Sequence, residues 1–312
     1  MDLVFIINPI AGSGKRQSEI KMKIESAARE MKFSYVIYET TCVGDACRFA
    51  AEYMAPESGA CLFACGGDGT LNEVANGIAE NKASDKLILG MIPIGTGNDF
   101  TKCFGDIERF CDIPTQIEGN PIVIDAIRFS ADNNHDKLAV NMFNMGFDSA
   151  VVAQSERIRR FPLLSGPISY TIGIIVELFS LPHENLTIII DDSEVITGEF
   201  LLTAIGNGTH YGGGYNATPD ARINDGMLNM TLVKMTSRLN FISLVGAYKN
   251  GTIRNSEAGK KLVIYKKLKT LSIIAHRRTS ICIDGELFRA HRLDLTVIPG
   301  LLRFNLPKGI SY

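Results

Sequence analysis

The strongest constraint on the fold is an alternation, over the first 100 residues, of short apolar runs with helix-length amphipathic stretches. The runs are rich in Val, Ile, Phe and Tyr, which predicts the strands Leu3–Asn8, Phe33–Glu39, Ala60–Cys65 and Leu87–Ile92. The stretches between them have the apolar spacing of helices at Lys15–Met31, Asp45–Met54 and Leu71–Ala79. Strands separated by helices form parallel sheets with right-handed crossovers, so we predict an open α/β domain that binds ligands beyond the carboxyl ends of its strands.

From about residue 122 the pattern changes to short, partly alternating strands, interrupted by helices near 150–160, 167–180 and 238–249. This pattern predicts a mainly antiparallel second domain with the architecture of a β-sandwich. We therefore divide the chain into an α/β domain at 1–128 and a β-rich domain at 129–312, whose final segment is free to return to the first domain. The strands expected in this part of the chain are Val123–Phe129, Leu138–Met145, Thr187–Ile190, Glu199–Ile205, Leu228–Val233, Lys261–Lys266, Leu271–Ala275, Ser280–Asp284 and Leu293–Ile298.

Composition and charge exclude several classes of protein. Apolar residues make up 46% and charged residues 21%, as in ordinary globular chains. Lys and Arg number 32 against 34 Asp and Glu, so the chain lacks the basic excess of a nucleic-acid-binding protein. Seven cysteines without a CxxC pair, and an N-terminus without a basic region, predict reduced thiols in a cytoplasmic protein. The apolar stretch Leu163–Pro182 contains Gly166-Pro167 and Glu177, which favours a buried or amphipathic helix over a membrane span.

Three glycine-bearing loops each follow a predicted strand of the first domain. The first runs from Asn8 to Lys15 with the sequence NPIAGSGK and opens a helix, where backbone amides and the helix dipole suit phosphate oxygens. It lacks the Ser or Thr of a P-loop after Lys15, and Gln17 stands where a dinucleotide fingerprint has its last glycine. From these residues alone, a structural strand-to-helix turn explains the loop as well as a phosphate site does.

The second loop, Gly66–Glu73, has the sequence GGDGTLNE, and its glycines permit close approach of the backbone to a ligand. Thr70 and Glu73 have the spacing of a capping box for the following helix. Capping does not explain Asp68, which stands between glycines at the carboxyl edge of the predicted sheet. A carboxylate there is suited to hold a hydrated magnesium ion over nucleotide phosphates.

The third loop, Pro93–Asp99, has the sequence PIGTGND and offers the Thr96 hydroxyl, free amides and a second acid, Asp99. A further carboxylate, Asp125, lies in the strand that leaves the first domain; a buried, hydrogen-bonded strand-end Asp is the structural alternative. In the second domain, Asp225-Gly226 and Asp284-Gly285 stand between apolar runs, and Asp-Gly in that setting predicts hairpin turns.

These loops together resemble a known family. The run GGDGTLNEV at 66–74, joined to IPIGTGNDF at 92–100 and preceded by the NPxxGxG loop, is similar to the catalytic domain of diacylglycerol kinases, sphingosine and ceramide kinases and bacterial lipid kinases. NAD kinases and phosphofructokinases carry loops like GGDGT, so the GTGNDF partner is what points to lipid kinases. Asp225-Gly226 and Asp284-Gly-Glu286 look like later motifs of the family. The resemblance therefore spans nearly the whole chain and is strongest to the bacterial diacylglycerol kinases.

The resemblance implies a fold, a site and a role for particular residues. The α/β domain is expected to be NAD-kinase-like, with the active site in the interdomain cleft. Asp68, Asp99 and Asp125 would form an acidic network that reaches the catalytic Mg²⁺ through water. The residues that would contact ATP are Asn8, Pro9, Ile10, Ala11, Gly12, Thr40, Gly66, Gly67, Asp68, Gly69, Thr70, Leu71, Asn72, Glu73 and Thr96. Relatives often have Thr-Ser or Lys-Ser where this chain has Ile10-Ala11, so the first loop would act through its amides.

Two further roles in the second domain also follow from the resemblance. Asp225 would bind a structural magnesium through its side chain, helped by the backbone carbonyls of Arg222 and Met227. Glu286 would be the proton acceptor, with Asp284 beside it. The expected activity is transfer of the γ-phosphoryl group of ATP to diacylglycerol. The alternatives are another lipid alcohol, such as a sphingoid base or a monoacylglycerol, and a nucleotide-dependent lipid-binding protein without turnover.

The expected partners are a diacylglycerol-type lipid and, transiently, the inner face of the membrane, with no nucleic acid; a homodimer is left open. Arg157, Arg159 and Arg160 beside Phe161, Leu163 and Leu164 form one candidate docking patch. A second basic cluster spans Lys260–Lys269. A solvated surface is the structural alternative for both.

Overall fold

The structure is a computed structural model that describes residues 1–14, 16–132, 137–158, 172–173, 176–178 and 180–312. It divides into two compact units, the first comprising Met1–Asp125 with Gly300–Tyr312 and the second Ala126–Pro299. The boundary lies a few residues before the predicted position at 128, and residues 300–312, which the sequence grouped with the second domain, return to the first unit.

The first unit contains a parallel sheet with helices between its strands, as the sequence predicts. Its order is β2-β1-β3-β4, and the end of the long strand β15 (Glu286–Leu306) lies beside β4, also in parallel. The strands are β1 (Asp2–Ile7), β2 (Val36–Glu39), β3 (Ala60–Gly66) and β4 (Leu87–Pro93). The helices are α1 (Arg16–Met31), α2 (Asp45–Glu52), α3 (Asp68–Glu80), α4 (Ile107–Phe110) and α5 (Ile113–Ile117). Short 3-10 turns lie at Ala11–Gly14, Ser84–Lys86 and Phe100–Phe104.

The two central strands, β3 and β4, are buried along their whole length, which explains their continuous apolar sequences. Their register brings the strand ends level with each other. Ile7 pairs with Cys65, and Gly66 pairs with Pro93. The three glycine-bearing loops therefore leave the sheet at the same edge.

The second unit is mainly antiparallel, which confirms the predicted fold class. Its strands follow the order β13-β12-β9-β7-β14-β15, with β8 paired to β9 and β14, and β5 paired to β15 and β6. The strands are β5 (Asn120–Ala131), which begins in the first unit, β6 (Lys137–Ala139), β7 (Met142–Gly146), β8 (Glu184–Ile190), β9 (Glu194–Gly206), β10 (His210–Tyr211), β11 (Tyr215–Asn216), β12 (Leu228–Lys234), β13 (Val263–Leu268) and β14 (Thr270–Ile283). The helices are α6 (Phe147–Ile158), α7 (Arg238–Lys249) and α8 (Glu257–Leu262), with a 3-10 turn at Ile253–Asn255.

Two apolar clusters form the core of the second unit. One lies among the strands and includes Ile127, Phe143 and Leu271. The other joins the helices to the sheet and includes Phe147 of α6 and Phe241 of α7. The rings of Phe147 and Phe241 meet edge to face with centroids 4.9 Å apart.

The strand predictions differ from the structure at several points. Lys261 and Leu262 lie in helix α8, and the strand predicted at Leu293–Ile298 is part of the longer β15. The runs predicted at 271–275 and 280–284 belong to one strand, β14, whose register shifts between Ile274 and Thr279. The strand predicted at Leu138–Met145 is interrupted between β6 and β7, because the amides of Val140, Asn141 and Met142 donate to the carboxylate of Asp284. The helix predicted at 167–180 lies largely outside the described residues.

No helix within the described parts of the chain is long and apolar enough to cross a membrane. Of the docking patch proposed around Arg157, the residues Arg159, Arg160, Phe161, Leu163 and Leu164 lie outside the described residues, as does Lys15 of the first loop. All seven cysteines are free thiols.

Aromatic rings hold the returning C-terminal segment in the first unit. Phe304 on β15 is fully buried, and its ring centroid lies 5.2 Å from that of Phe100 and 5.5 Å from that of Phe104. The ring of Phe110 completes the cluster at 6.3 Å from Phe304. Asn305, the next residue, donates to the backbone carbonyl of Gln116 at 2.8 Å.

We predict that Phe304→Ala lowers the free energy of unfolding of the first unit by about 3–5 kcal/mol, the usual cost of removing a buried aromatic side chain. Leu301→Ala, on the same strand but 36% exposed, should lower it by less than ~1 kcal/mol. Urea unfolding of the two variants measures both values. Equal losses would show that the aromatic cluster does not hold the segment.

Candidate functional site

The three glycine-bearing loops of the first unit contact one another at the carboxyl edge of its sheet. Asn8 Nδ2 in the first loop donates to Thr70 Oγ1 at 3.2 Å. Gly12 has a φ of +59°, and a Cβ at this position would lie 2.4 Å from the carbonyl oxygen of Ile94. Arg16, which the sequence analysis did not select, donates from Nη1 to the Gly95 carbonyl at 3.4 Å. The sequence signal that could have identified Arg16 was a cation at the first helical residue after a glycine loop.

The backbones of the second and third loops are in close contact at Gly67 and Gly95. A Cβ on Gly95 would lie 2.4 Å from Cα of Gly67, so only glycine fits at this crossing. The Gly66 carbonyl accepts hydrogen bonds from the amides of Ile94 and Gly95, each at 3.0 Å. These bonds fix the two loops to each other before any ligand binds.

This crossing brings two of the predicted acids to one place. A Cβ on Gly97 would lie 3.1 Å from Oδ2 of Asp68 and 3.3 Å from Oδ2 of Asp99, so both carboxylates border the same glycine. Asp68 Oδ1 accepts from the Phe100 amide at 3.1 Å. Asp99 Oδ1 forms an ion pair with Lys102 Nζ at 2.6 Å.

The oxygen atoms around Gly97 suit a magnesium ion that arrives with a nucleotide. Within the described residues, no group of three His, Cys, Asp or Glu side chains could hold a metal ion by itself. Magnesium commonly uses one or two carboxylates together with phosphate oxygens and water, so this donor set fits. Asn98 Oδ1 is buried, lies 2.8 Å from where a Gly95 Cβ would be, and has no hydrogen-bond partner among the described residues. It can accept a hydrogen bond from metal-bound water.

The remaining predicted nucleotide residues are disposed in different ways. Thr40 follows β2 at the same sheet edge, and its amide donates to the Ile7 carbonyl at 3.0 Å. The side chains of Ile10 and Thr96 are exposed at the loops, while Pro9, Ala11 and Asn72 are half-buried. Leu71 is fully buried and its amide donates to the Gly67 carbonyl, so it supports α3.

The predicted capping box is wrong. Helix α3 begins at Asp68 with Gly67 at its N-cap, and no side chain caps it, so Thr70 lies within the first turn. Glu73 reaches a different helix: its carboxylate accepts from the amides of Gly44 and Ala46 at 2.9 and 3.2 Å and caps the N-terminus of α2. Gly67 has the extended backbone of an N-cap residue, and Asp68 is the first helical residue. The helix therefore begins before Thr70 and not after it.

Asp125 lies on β5, at the point where the chain passes from the first unit to the second, and is almost fully buried. Its Oδ1 accepts from the amide of Gly300 at 2.8 Å, at the point where the chain returns to the first unit. This contact matches the structural alternative stated for a strand-end Asp. Its part in an acidic network with Asp68 and Asp99 stays a prediction.

In the second unit, Asp284 and Glu286 have different surroundings. Asp284 has a φ of +46°, as a residue in a tight turn, and is buried. Its carboxylate accepts three backbone amides: Val140 at 2.8 Å, Asn141 at 3.1 Å and Met142 at 2.8 Å. Glu286, two residues further, is exposed at the start of β15. Asp284 therefore acts as a clamp on the β6–β7 connection, and Glu286 has the side chain accessible for chemistry.

Asp225 already has a cationic partner. Its Oδ2 forms an ion pair with Lys267 Nζ at 3.1 Å, and its Oδ1 accepts from the Met227 amide at 3.1 Å. Arg222 is exposed nearby in sequence. The Lys267 ammonium balances the Asp225 charge in this arrangement, and the magnesium expected at Asp225 with Arg222 and Met227 stays a prediction. A magnesium at this position would have to displace the Lys267 side chain.

Among the buried acids that sequence reasoning missed is Asp148, in the first turn of α6. Its Oδ2 accepts from the hydroxyl of Tyr248 at 3.4 Å, and the Tyr248 and Tyr211 hydroxyls are 3.2 Å apart. Burial raises the pKa of Asp148 to about 7, although the hydroxyls of Tyr211 and Tyr248 act to lower it. The signal for it was an acid directly after the Gly146-Phe147 step from strand to helix.

This carboxyl group should make stability depend on pH. Its pKa in the folded state lies above the value of about 3.9 for an unfolded Asp, so the folded state binds the proton more tightly. The resulting stabilisation is complete below about pH 4 and is lost as the pH rises to about 7. Asp148→Asn should therefore gain stability relative to wild type between about pH 5 and about pH 8.

Thermal unfolding of wild type and Asp148→Asn, each at about pH 5 and about pH 8, measures this difference. Asp192→Asn, at an exposed turn residue, serves as the control and should show no such gain. A constant difference between Asp148→Asn and wild type across the range would contradict the assignment.

Comparison with known families agrees with both units. Residues 2–129 match the diacylglycerol kinase catalytic domain, and residues 141–305 match the YegS C-terminal NAD kinase beta sandwich-like domain. Two solved structures of proteins from Bacillus anthracis str. Sterne cover 99% of this chain and 98% of their own, with TM-scores of 0.74 and 0.68 at 21% and 20% identity. The second is described as a diacylglycerol kinase. At this level of identity the likeness concerns the fold.

Relatives of higher identity extend over the whole chain. A "Probable lipid kinase YegS-like" protein of Pseudomonas aeruginosa (strain UCBPP-PA14) is 30% identical over 99% of this chain and 96% of its own. The protein of that name from Serratia proteamaculans (strain 568) is 29% identical over 96% of this chain and 92% of its own. The chain therefore belongs to the YegS-like lipid kinase family, with a diacylglycerol kinase catalytic domain followed by a β-sandwich-like domain.

Proposed function

We propose that this chain transfers the γ-phosphoryl group of ATP to the hydroxyl of diacylglycerol and so produces phosphatidic acid. The observation that carries the proposal is the pair of carboxylates, Asp68 and Asp99, bordering Gly97 on two glycine loops that are bonded to each other. Glycine loops at the carboxyl edge of a parallel sheet are where nucleotide phosphates bind in α/β proteins.

The loops offer the contacts that a triphosphate needs. Phosphate oxygens can accept hydrogen bonds from the loop amides. Helix α3 (Asp68–Glu80) begins at these loops, and the positive end of its dipole also favours phosphate. Arg16 lies at the crossing through its bond to the Gly95 carbonyl and can neutralise phosphate charge. Magnesium, when bound, would neutralise charge on the β- and γ-phosphates, and Asp68, Asp99 and Asn98 are the residues that would hold it through water.

The reaction itself needs positioning and one proton acceptor. The lipid hydroxyl oxygen attacks the γ-phosphorus, a new P–O bond forms, the bond to the bridging β–γ oxygen breaks, and ADP leaves. The hydroxyl proton passes to a carboxylate. We assign this role to Glu286, on the resemblance and on its exposure, because the oxygens of Asp284 are already occupied by three backbone amides.

Two isosteric substitutions separate these roles. Glu286→Gln should lower turnover about 10²–10⁴-fold, the usual effect of losing a general base, with ATP affinity and melting temperature unchanged. Asp284→Asn should also lower the free energy of unfolding by about 2–4 kcal/mol, since an amide cannot accept all three backbone bonds. The assay measures phosphatidic acid formed from a short-chain diacylglycerol, ATP and magnesium.

Glu199→Gln, at an exposed glutamate on β9, is the matched control and should behave as wild type. Full turnover in Glu286→Gln would remove its assigned role. Faster transfer to sphingosine or to a monoacylglycerol would show that this alcohol, and not diacylglycerol, is the preferred acceptor. Lipid and ATP binding with no transfer to any of these alcohols would favour a binding protein and contradict the kinase proposal.

A further inference from the structure

Three residues of helix α3 contact helix α2 along one face. Glu73, Gly77 and Asn81 lie four positions apart, a spacing that puts them on the same side of a helix. Gly77 lies against the middle of α2, because a Cβ there would overlap the carbonyl oxygen of Cys47. Asn81 Nδ2 donates to two backbone carbonyls at the C-terminal end of α2, each at 2.9 Å. Helix α3 therefore holds α2 along its whole length.

Glu73 differs from the other two residues in the end of α2 that it holds. Its Oε1 accepts from the Gly44 amide at 2.9 Å, and its Oε2 accepts from the Ala46 amide at 3.2 Å. These amides follow β2, so they lie at the carboxyl edge of the sheet, whereas Asn81 holds the end of α2 that is remote from this edge. We call residues 40–44 the β2–α2 loop.

The backbone of the β2–α2 loop is fixed at both ends, yet its surface is open. The Thr40 amide donates to the Ile7 carbonyl at 3.0 Å. Oδ2 of Asp45 accepts from the amide of Thr41 at 2.7 Å and from its hydroxyl at 2.9 Å. Residues 41–44 are nonetheless exposed. An exposed loop held in one conformation is suited to a ligand, because binding then costs little conformational freedom.

The β2–α2 loop lies within reach of a nucleotide whose phosphates occupy the glycine loops. The sheet order β2-β1-β3-β4 puts β2 two strands from β3. Adjacent strands are about 4.8 Å apart, so the end of β2 lies about 10 Å along the edge from the loop that carries Asp68. A nucleotide that extends from the glycine loops towards β2 brings its ribose and base to Thr40 and the β2–α2 loop.

We propose that Glu73 is a positioning residue for the nucleoside of ATP, and that it acts through the β2–α2 loop and not by contact with ATP. Its carboxylate ties this loop to α3, the helix that begins at the loop proposed to bind phosphates. One side chain thereby fixes the place of the nucleoside relative to the phosphates. The inference rests on the proposed function for the identity of the nucleotide. A role in packing α2 against α3 alone is the alternative that the test must separate.

The first test compares ATP with tripolyphosphate, which carries the phosphates but no nucleoside. ATP is measured by calorimetry with magnesium, and tripolyphosphate by competition with ATP. Glu73→Ala should weaken ATP binding about tenfold, as the loss of about one hydrogen bond does, and leave the affinity for tripolyphosphate unchanged. Asn81→Ala frees the other end of α2, so it should lower the melting temperature without weakening ATP binding. Glu80→Gln, at an exposed residue of α3, is the matched control and should behave as wild type.

Turnover provides a second readout that packing alone would not change. Glu73→Ala should raise the KM for ATP about tenfold with kcat unchanged, because the nucleoside is bound alike in the ground state and the transition state. Glu73→Gln keeps the shape of the side chain and one accepting oxygen. Its ATP affinity should lie between those of wild type and Glu73→Ala, and it replaces Glu73→Ala if that variant does not fold.

Three results would overturn the inference. The first is wild-type ATP affinity in Glu73→Ala. The second is an equal loss of affinity for ATP and tripolyphosphate, which would put the effect at the phosphates. The third is a loss of ATP affinity in Asn81→Ala as large as in Glu73→Ala, which would show that packing of α2 is the whole effect. Wild type that binds ATP but phosphorylates no lipid alcohol would contradict the proposed function alone, whereas wild type that binds no ATP would contradict both.

Discussion

The close approach of two glycines, Gly67 and Gly95, is the constraint on which the candidate site depends. Strands β3 and β4 end at the same level, so the loops that follow them must pass each other within a few ångströms. A Cβ on Gly95 would lie 2.4 Å from Cα of Gly67, so the crossing requires glycine at residue 95, and the Gly66 carbonyl holds the third loop through two hydrogen bonds. The positions of Asp68 and Asp99 follow from this crossing.

The crossing creates an electrostatic demand that a ligand would meet. Two carboxylates that border one glycine repel each other, and Lys102 balances the charge of Asp99. A magnesium ion that bound with a nucleotide would add positive charge beside these carboxylates, and the loop amides would donate hydrogen bonds to the phosphate oxygens. In the proposed function, metal and phosphate would therefore favour each other's binding at this site.

The fold was largely predictable from the sequence because local rules govern it. The strand–helix alternation predicted the parallel sheet and placed the three glycine loops at the carboxyl edge, where the structure has them. The Asp-Gly signal at Asp284 also predicted a turn, and the residue does have a positive φ. Each of these features depends on residues close together in the chain.

Contacts between distant residues were not predictable in this way. Glu73 has the spacing to cap its own helix, yet it caps α2, because tertiary packing brings Gly44 and Ala46 within its reach. The amides that Asp284 binds lie more than 140 positions away in the sequence. Asp225 was expected to bind a metal, and nothing local indicated that Lys267, across the β12–β13 pair, would balance its charge.

The most direct test of the account is the affinity for ATP and magnesium of Gly95→Ala, measured by calorimetry beside Gly246→Ala. The added methyl group must push the Gly67 backbone away, whereas the same change at Gly246 meets open space. ATP binding should weaken at least about tenfold in Gly95→Ala and stay at the wild-type value in Gly246→Ala. Wild-type affinity in Gly95→Ala would show that the loop crossing does not form the nucleotide site.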